Sequence, residues 1–333
     1  MTRPTMRDVA STAGVSVKTV SRVVNGEPGV RAETAARVDA AIARLGFSRN
    51  DIASSLRRGR AGALGLVTED VANPFYSAIA RAVEDSAEAR GHLLITGSCE
   101  EDPARERQLV LRLLRRLVDA LLIVPAGTDH RYLLPEVEGG LPIVFLDRPP
   151  HGLEADTVLL DNVGGARAGV EHLLAQGHER IAFVGDPPEL YTAGERLVGY
   201  RAALAGAGVE IAEELVRAGS HYARHAERAV RELLELPAER RPTALFTANN
   251  RNTIGALRAL RDAPRRVALV GFDDFELADM LAMPVTVVRH VPEDMGRIAA
   301  ALAYARLDGN GNGPSRRTIP CTLAARGSGE VPP

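Results

Sequence analysis

MRDVASTAGVSVKTVSRVVN, residues 6–25, decides how the first part of the chain folds. It reads as two short helices and a tight turn. Met6 to Ala13 sets Val9 and Ala13 about one turn apart on one face. Gly14 has no Cβ and can take the left-handed conformation that stops a helix; Val15 can fill the corner. Ser16 stands where an N-cap belongs, its hydroxyl able to accept a free amide of the next turn. From about Val17 to Val24, Val20 and Val24 point inward with Val15, while Lys18, Thr19, Ser21 and Arg22 stay outside. This is the pattern of a helix-turn-helix, whose second helix enters the major groove of DNA. The competing reading is an αα-hairpin whose polar face is merely solvated.

Charge separates the two. Residues 1–60 hold 11 Lys+Arg against 5 Asp+Glu, a net +6, and the rest holds 30 against 38, or −8, so the whole-chain charge of −2 hides a basic head on an acidic body. That division fits a polyanion held by the head alone. At 333 residues the chain exceeds one small core, and its 45% hydrophobic content leaves burial unrestricted. Cys99 and Cys321 form neither metal spacing nor a disulfide framework. With no apolar leader and no membrane-length run, a cytoplasmic location is expected.

Beyond the hairpin, Gly26–Gly29 reads as a loop. A third helix, about Ala32 to Leu45, brings Ala35, Val38, Ile42 and Leu45 to Val9, Val20 and Val24, and Gly46 ends it. Asn50 can cap a two-turn helix, Asp51 to Arg57, with Ile52, Ala53 and Leu56 apolar and Arg57, Arg58 and Arg60 charged. Alone this is a flexible basic linker; beside a DNA-binding head it can fold on DNA, Leu56 wedging between base steps. From Ala63 the texture alternates strand and helix, beginning with the buried run Ala63–Val67 and finishing in one strand near Thr318–Thr322. Two series of β–α units imply two doubly wound parallel sheets, with ligands beyond the carboxyl ends of the strands and a cleft between the halves.

Head, hinge-like segment and two-sheet body together resemble the LacI family of bacterial transcription regulators (lactose-repressor-like). The resemblance runs through DVASTAGVSVKTVSRVVN, Asn50 to Leu56, NPF at 73–75, HLLAQGHERIAFVG at 172–185, ERLVGY at 195–200, PTALFTANN at 242–250 and VALVGFDD at 267–274. It implies a helix-turn-helix domain over 1–48, a hinge over 49–61, and a periplasmic-binding-protein-like effector and dimerisation domain over 62–333. Within that body one subdomain takes about 62–160 and 292–318, and the other about 161–291 and 319–333. It implies a homodimer on near-palindromic operator DNA, without cofactor or metal, whose affinity a small effector shifts. Repression is the expected mode, because occupying a promoter blocks it without further contacts.

By family position Val17, Lys18 and Arg22 read bases. Lys18 and Arg22 can donate to guanine O6 and N7, and Val17 offers apolar contact. Thr19 and Ser21 share their exposed face, Ser16 and Asn25 are phosphate partners, and Asn50, Ala53, Leu56 and Arg57 belong to the hinge. Arg49 replaces the usual hinge proline, and Arg31 stands where the third helix usually has a serine cap. Toward the cleft the resemblance brings Phe75 and Tyr76 to stack on a ligand, Arg196 as a planar fork, Asn249 to donate and accept, and Asp273 to accept from vicinal hydroxyls. Asp147, Asp161, Tyr191, Thr192 and His221 are assigned to the rim. Asn250 replaces the family's aspartate. One arginine, one aspartate and several amides suit a neutral polyhydroxylated ligand, a sugar before a nucleoside.

An enzyme is the first rival. The chain has no GxSxG elbow, Walker loop or HExxH, and Gly309–Gly313 neither follows a strand nor opens a helix. His221 and His225 have helical metal spacing but no evident third ligand. A transport-type binding protein is the second rival, and the +6 head and missing leader speak against it.

Overall fold

The computed structural model describes residues 4–47, 62–116, 118–219, 222–261, 263, 266–311 and 313–333. The expected hinge helix, with Asn50, Ala53, Leu56 and Arg57, lies outside the described residues, as does His221. The chain divides into two compact units, Met1–Ala61 and Gly62–Pro333.

In the first unit, α1 (Met6–Ala13), α2 (Val17–Val24) and α3 (Ala32–Leu45) enclose Val9, Ala10, Ala13, Val20, Val38 and Ala41. Val24, Ile42 and Leu45 only flank this core; the fully buried partner on α3 besides Val38 is Ala41. Thr5 and Asp8 form a capping box at the start of α1, with the Thr5 amide donating to Asp8 at 2.7 Å. Gly14 closes α1 at φ 62°, and Arg37 on α3 donates to the Ala13 carbonyl at 2.5 Å, tying the turn down. Arg31 precedes α3 without a side-chain cap, and Gly46 ends it in the left-handed region.

The second unit holds, among the described residues, two six-stranded sheets. One lobe contains β1 (Ala63–Thr68), α4 (Pro74–Glu88), β2 (Leu93–Ser98), α5 (Pro103–Arg115), β3 (Ala120–Ile123), α6 (Leu134–Glu138), β4 (Ile143–Leu146) and β5 (Asp156–Leu160). The other contains α7 (Asn162–Ala175), β6 (Ile181–Gly185), α8 (Tyr191–Gly206), β7 (Val216–Ala218), α9 (Ala223–Leu234), β8 (Ala244–Thr247), α10 (Asn250–Arg261), β9 (Ala268–Phe272) and β10 (Thr286–Arg289). The chain then returns through α11 (Pro292–Leu307) and β11 (Arg316–Ile319) to the first lobe, and ends with β12 (Thr322–Ala324) in the second.

The sheet orders are β11-β5-β4-β3-β1-β2 and β12-β10-β9-β8-β6-β7. Each reverses its winding beside its first strand, between β1 and β3 and between β6 and β8, where such sheets open a crevice. Two expectations need correction. The single closing strand near Thr318–Thr322 is two strands: β11 pairs in parallel with β5, and β12 pairs antiparallel with β10, so the second sheet is not purely parallel. Pro320 lies between them and cannot donate to a ladder. The three-residue edge strand β7 was not foreseen; it is half-buried to exposed and too short to carry a hydrophobic pattern.

The central strands β1, β3, β4, β6, β8 and β9 are buried along their whole length, as both-faced parallel strands must be. Asn73 and Asp102 cap α4 and α5, each followed by proline at the first turn. At Gly199 a Cβ would come within 2.4 Å of the Val163 carbonyl, so glycine there lets α8 lie directly on α7. Both cysteines are free, and burial pushes each thiol up to about 12, too high for ready thiolate chemistry. No helix among the described residues is long and apolar enough to cross a membrane.

Candidate functional site

The first unit presents one polar face. Ser16 caps α2, accepting from the Thr19 amide at 3.1 Å, and the two hydroxyls lie 2.9 Å apart. Val17 opens the helix 42% exposed, outside the small core. Lys18 is exposed and has no ion-pair partner among the described residues. Arg22 reaches Glu27 only loosely, at 3.9 Å. Asn25 donates to Ser21 and Glu27 at 3.3 and 3.2 Å, fixing the end of α2. Thr19 and Ser21 are half-buried at the edge of the face. Val17, Lys18 and Arg22 thus form an outward row that the small core does not need.

In the second unit the strand ends converge on a cavity of about 410 Å³, part of it open to solvent. Of the residues expected there, Phe75, Tyr76, Asp147, Thr192, Arg196, Asn249 and Asp273 line it. Asp161 does not: it is exposed and caps α7, accepting from the Gly164 amide at 2.9 Å. Tyr191 also stands off the cavity, its hydroxyl taking a bond from Arg316 at 3.0 Å. Glu69, Asn73, Arg148, Asp186, Asn250 and Arg251 complete the lining.

Arg196 is 5% exposed. Its Nε donates to Asn162 at 2.8 Å; its Nη1 donates to the Ala248 carbonyl at 2.5 Å and to Asp273 at 3.3 Å. The guanidinium lies 3.8 Å from the centre of the Phe272 ring, a cation–π contact. Nη2 has no hydrogen-bond partner among the described residues. Asp273 also accepts from His290 at 3.0 Å. Burial works against its ionisation, but Arg196 and His290 hold the carboxyl below the usual carboxylate value.

Asp147 behaves oppositely. Burial raises its carboxyl above the ordinary value in spite of Arg148 and Arg196 nearby. Its Oδ2 accepts from Tyr76 at 3.4 Å, while Oδ1 is buried without a partner among the described residues. Burial beside the carboxyls of Asp147 and Glu69 also drives the Tyr76 phenol well above 10, so it stays a donor. Tyr76 is almost fully buried and turns its hydroxyl to Asp147. Phe75 is half-buried, 5.4 Å from the His290 ring.

Among the described residues, polar links cross from lobe to lobe at three places. Arg251 donates to Glu69 at 2.8 Å and to Asp70 at 2.5 Å, Asn250 donates to Asn73 at 3.0 Å, and Arg316 donates to Tyr191. Asn249 gives Nδ2 to Asp186 at 3.0 Å and accepts the Asn252 amide at 2.8 Å, which starts α10. The sequence reading missed Glu69, Arg148, Asp186 and Arg251. The first three follow β1, β4 and β6 at carboxyl ends, a signal that was present.

Comparison with known proteins meets this geometry. Residues 5–50 match the family described as bacterial regulatory proteins, lacI family, and residues 170–329 match the periplasmic binding protein-like domain. The ribose operon repressor of Escherichia coli (strain K12) is 32% identical over 309 residues, covering 91% of this chain and 93% of its own. The structure of the transcriptional regulator CelR–cellobiose complex is 34% identical, with TM-score 0.71 over 98% of this chain and 100% of that one. The Lac repressor dimer bound to operator and the anti-inducer ONPF is 28% identical, with TM-score 0.88 over 99% and 100%.

Proposed function

The chain belongs to the LacI family of bacterial regulatory proteins, and from that premise we propose that it is a cytoplasmic transcriptional repressor. It binds operator DNA as a homodimer, and a sugar in the cleft modulates that binding. The observation that carries this reading is the pairing, in one chain, of an outward Val17–Lys18–Arg22 row with a polar cavity at the strand ends. The relatives support both halves. The Lac repressor dimer sits on operator, the CelR structure holds cellobiose, and the ribose operon repressor is named for a sugar operon.

Lys18 and Arg22 donate to guanine edges, Val17 packs on a thymine methyl, and Ser16 and Asn25 fix phosphates. Asn50, Ala53, Leu56 and Arg57 supply the minor-groove part. In the body, Arg196, Asp273, Asn249, Asp147 and Thr192 hold hydroxyls, and Phe75 packs on the ring. The test is fluorescence anisotropy of the full chain on labelled duplex from its own upstream region, across salt and with ribose or cellobiose added. Tight binding that weakens steeply with salt is expected. Lys18→Ala should lose about 1–3 kcal/mol of discrimination at one base pair per half-site. Affinity that ignores both salt and sequence would sink the reading.

A further inference from the structure

Resting on that effector-binding reading, we propose that the cleft selects an uncharged, hydroxyl-donating sugar or polyol and rejects its phosphate ester. The basis is how the charges around the cavity are already paired. Three guanidinium groups line it. Arg148 is bidentate to Glu101 at 2.6 and 2.5 Å and also donates to the Pro125 carbonyl at 2.9 Å. Arg251 is divided between Glu69 and Asp70. Arg196 is held by Asn162, Ala248 and Asp273, with Nη2 alone left over.

Against these three cations stand six carboxyl groups, those of Glu69, Asp70, Glu101, Asp147, Asp186 and Asp273. A phosphate monoester brings nearly two negative charges and three acceptor oxygens. It would enter a region already rich in acceptors and find few uncommitted guanidinium nitrogens, among them Nη2 of Arg196 and the buried Nε of Arg148, which lies 3.7 Å from the Asp147 carboxylate. Breaking an existing pair to make room would strand a buried carboxylate in its place.

The orphan atom points the same way. Asp147 is 3% exposed and lines the cavity, and its Oδ1 has no hydrogen-bond partner among the described residues. A buried acceptor of this kind is completed by a donor. A sugar hydroxyl donates; a phosphate dianion cannot. The empty position in the hydrogen-bond pattern therefore calls for a hydroxyl, which the ester can supply only from a carbon that does not carry the phosphate.

The test is titration calorimetry of the full chain, at fixed ionic strength, with matched pairs: ribose and ribose 5-phosphate, glucose and glucose 6-phosphate, cellobiose and cellobiose 6-phosphate. At least one uncharged member should bind, and its ester at least tenfold more weakly. An ester within tenfold of its parent, or failure of every uncharged member to bind, overturns the proposal. Asp147→Leu, which removes the acceptor, should weaken the sugar at least tenfold, and Asp147→Asn, which keeps one, less than tenfold. Equal affinity in both variants overturns the role of Oδ1. Operator binding by the same preparations without sugar tests the regulator reading separately, since either result can fail while the other stands.

Discussion

Asp147 and Asp273 occupy one position in two lobes. Each directly follows a buried strand, β4 or β9. Each holds a left-handed backbone, φ 65° and 66°, and each donates its amide to the neighbouring strand, to Val158 at 2.8 Å and Val288 at 2.9 Å. Such a φ is uncommon outside glycine, and its recurrence at a matched site marks a shared backbone device. The side chains then part company. Asp273 is satisfied by Arg196 and His290 and ionises more readily than usual; Asp147 keeps one oxygen unpaired and ionises less readily. The repeated fold supplies the anchor, and the neighbours decide whether both of its oxygens are already paired or one is left over.

The hardest blow to this contrast is Arg196→Ala. It would strand Asp273 beside His290 and orphan Asn162 and the Ala248 carbonyl. Breaking a buried pair from one side costs about 3–5 kcal/mol, read as a fall in urea midpoint at unchanged slope. A loss under about 1 kcal/mol would mean that Asp273 does not depend on Arg196. Next comes Asp273→Asn, which keeps the shape but removes the charge facing Arg196. A cost of about 1–3 kcal/mol is expected, with sugar response lost and operator binding kept. A variant still released by sugar would end the role given to Asp273.

Acid titration separates the two carboxyls by sign. Asp273 has a depressed folded value, so its contribution is present above the ordinary carboxylate value and is lost as pH falls through the folded one. Asp147 has a raised folded value, so the folded chain holds the extra proton, and stability falls as pH climbs from 3.8 to the raised value. Asp147→Asn should remove that decline and Asp273→Asn should remove the acid loss. Parallel stability–pH curves for both variants would abolish the distinction.

The smallest effect is expected from Arg251→Gln. Its bonds to Glu69 and Asp70 are partly exposed, so the stability change should stay near 1 kcal/mol. Sugar affinity should drop a few-fold because closure weakens. Unchanged affinity would show that this link does not hold the lobes together.

Much of the architecture was legible. Gly14, Ser16 and Gly46 sit at helix ends for local reasons that sequence displays, and the buried runs of β1 and β9 leave little choice. Arg196 and Asp273 were readable by resemblance. Arg251 was not, because its partners lie 182 and 181 residues away and nothing in its neighbourhood reports them. Asp161 was assigned to the rim by resemblance, as Asp147 was, and each stands directly after a buried strand. One extra step made the difference: Asp161 begins a helix, and the free amide of Gly164 takes its carboxylate. The Thr5–Asp8 box was fully visible as a threonine three residues before an acid and was overlooked.

Finally, β11 and β12 belong to different sheets with only Pro320 and Cys321 between them, and the chain also passes between lobes after β5 and after β10. Three such short tethers, one stiffened by a ring, leave the halves little freedom to slide or separate. They can pivot like the jaws of a clip whose spring is the backbone itself, so a small molecule between the tips can exert leverage on the whole.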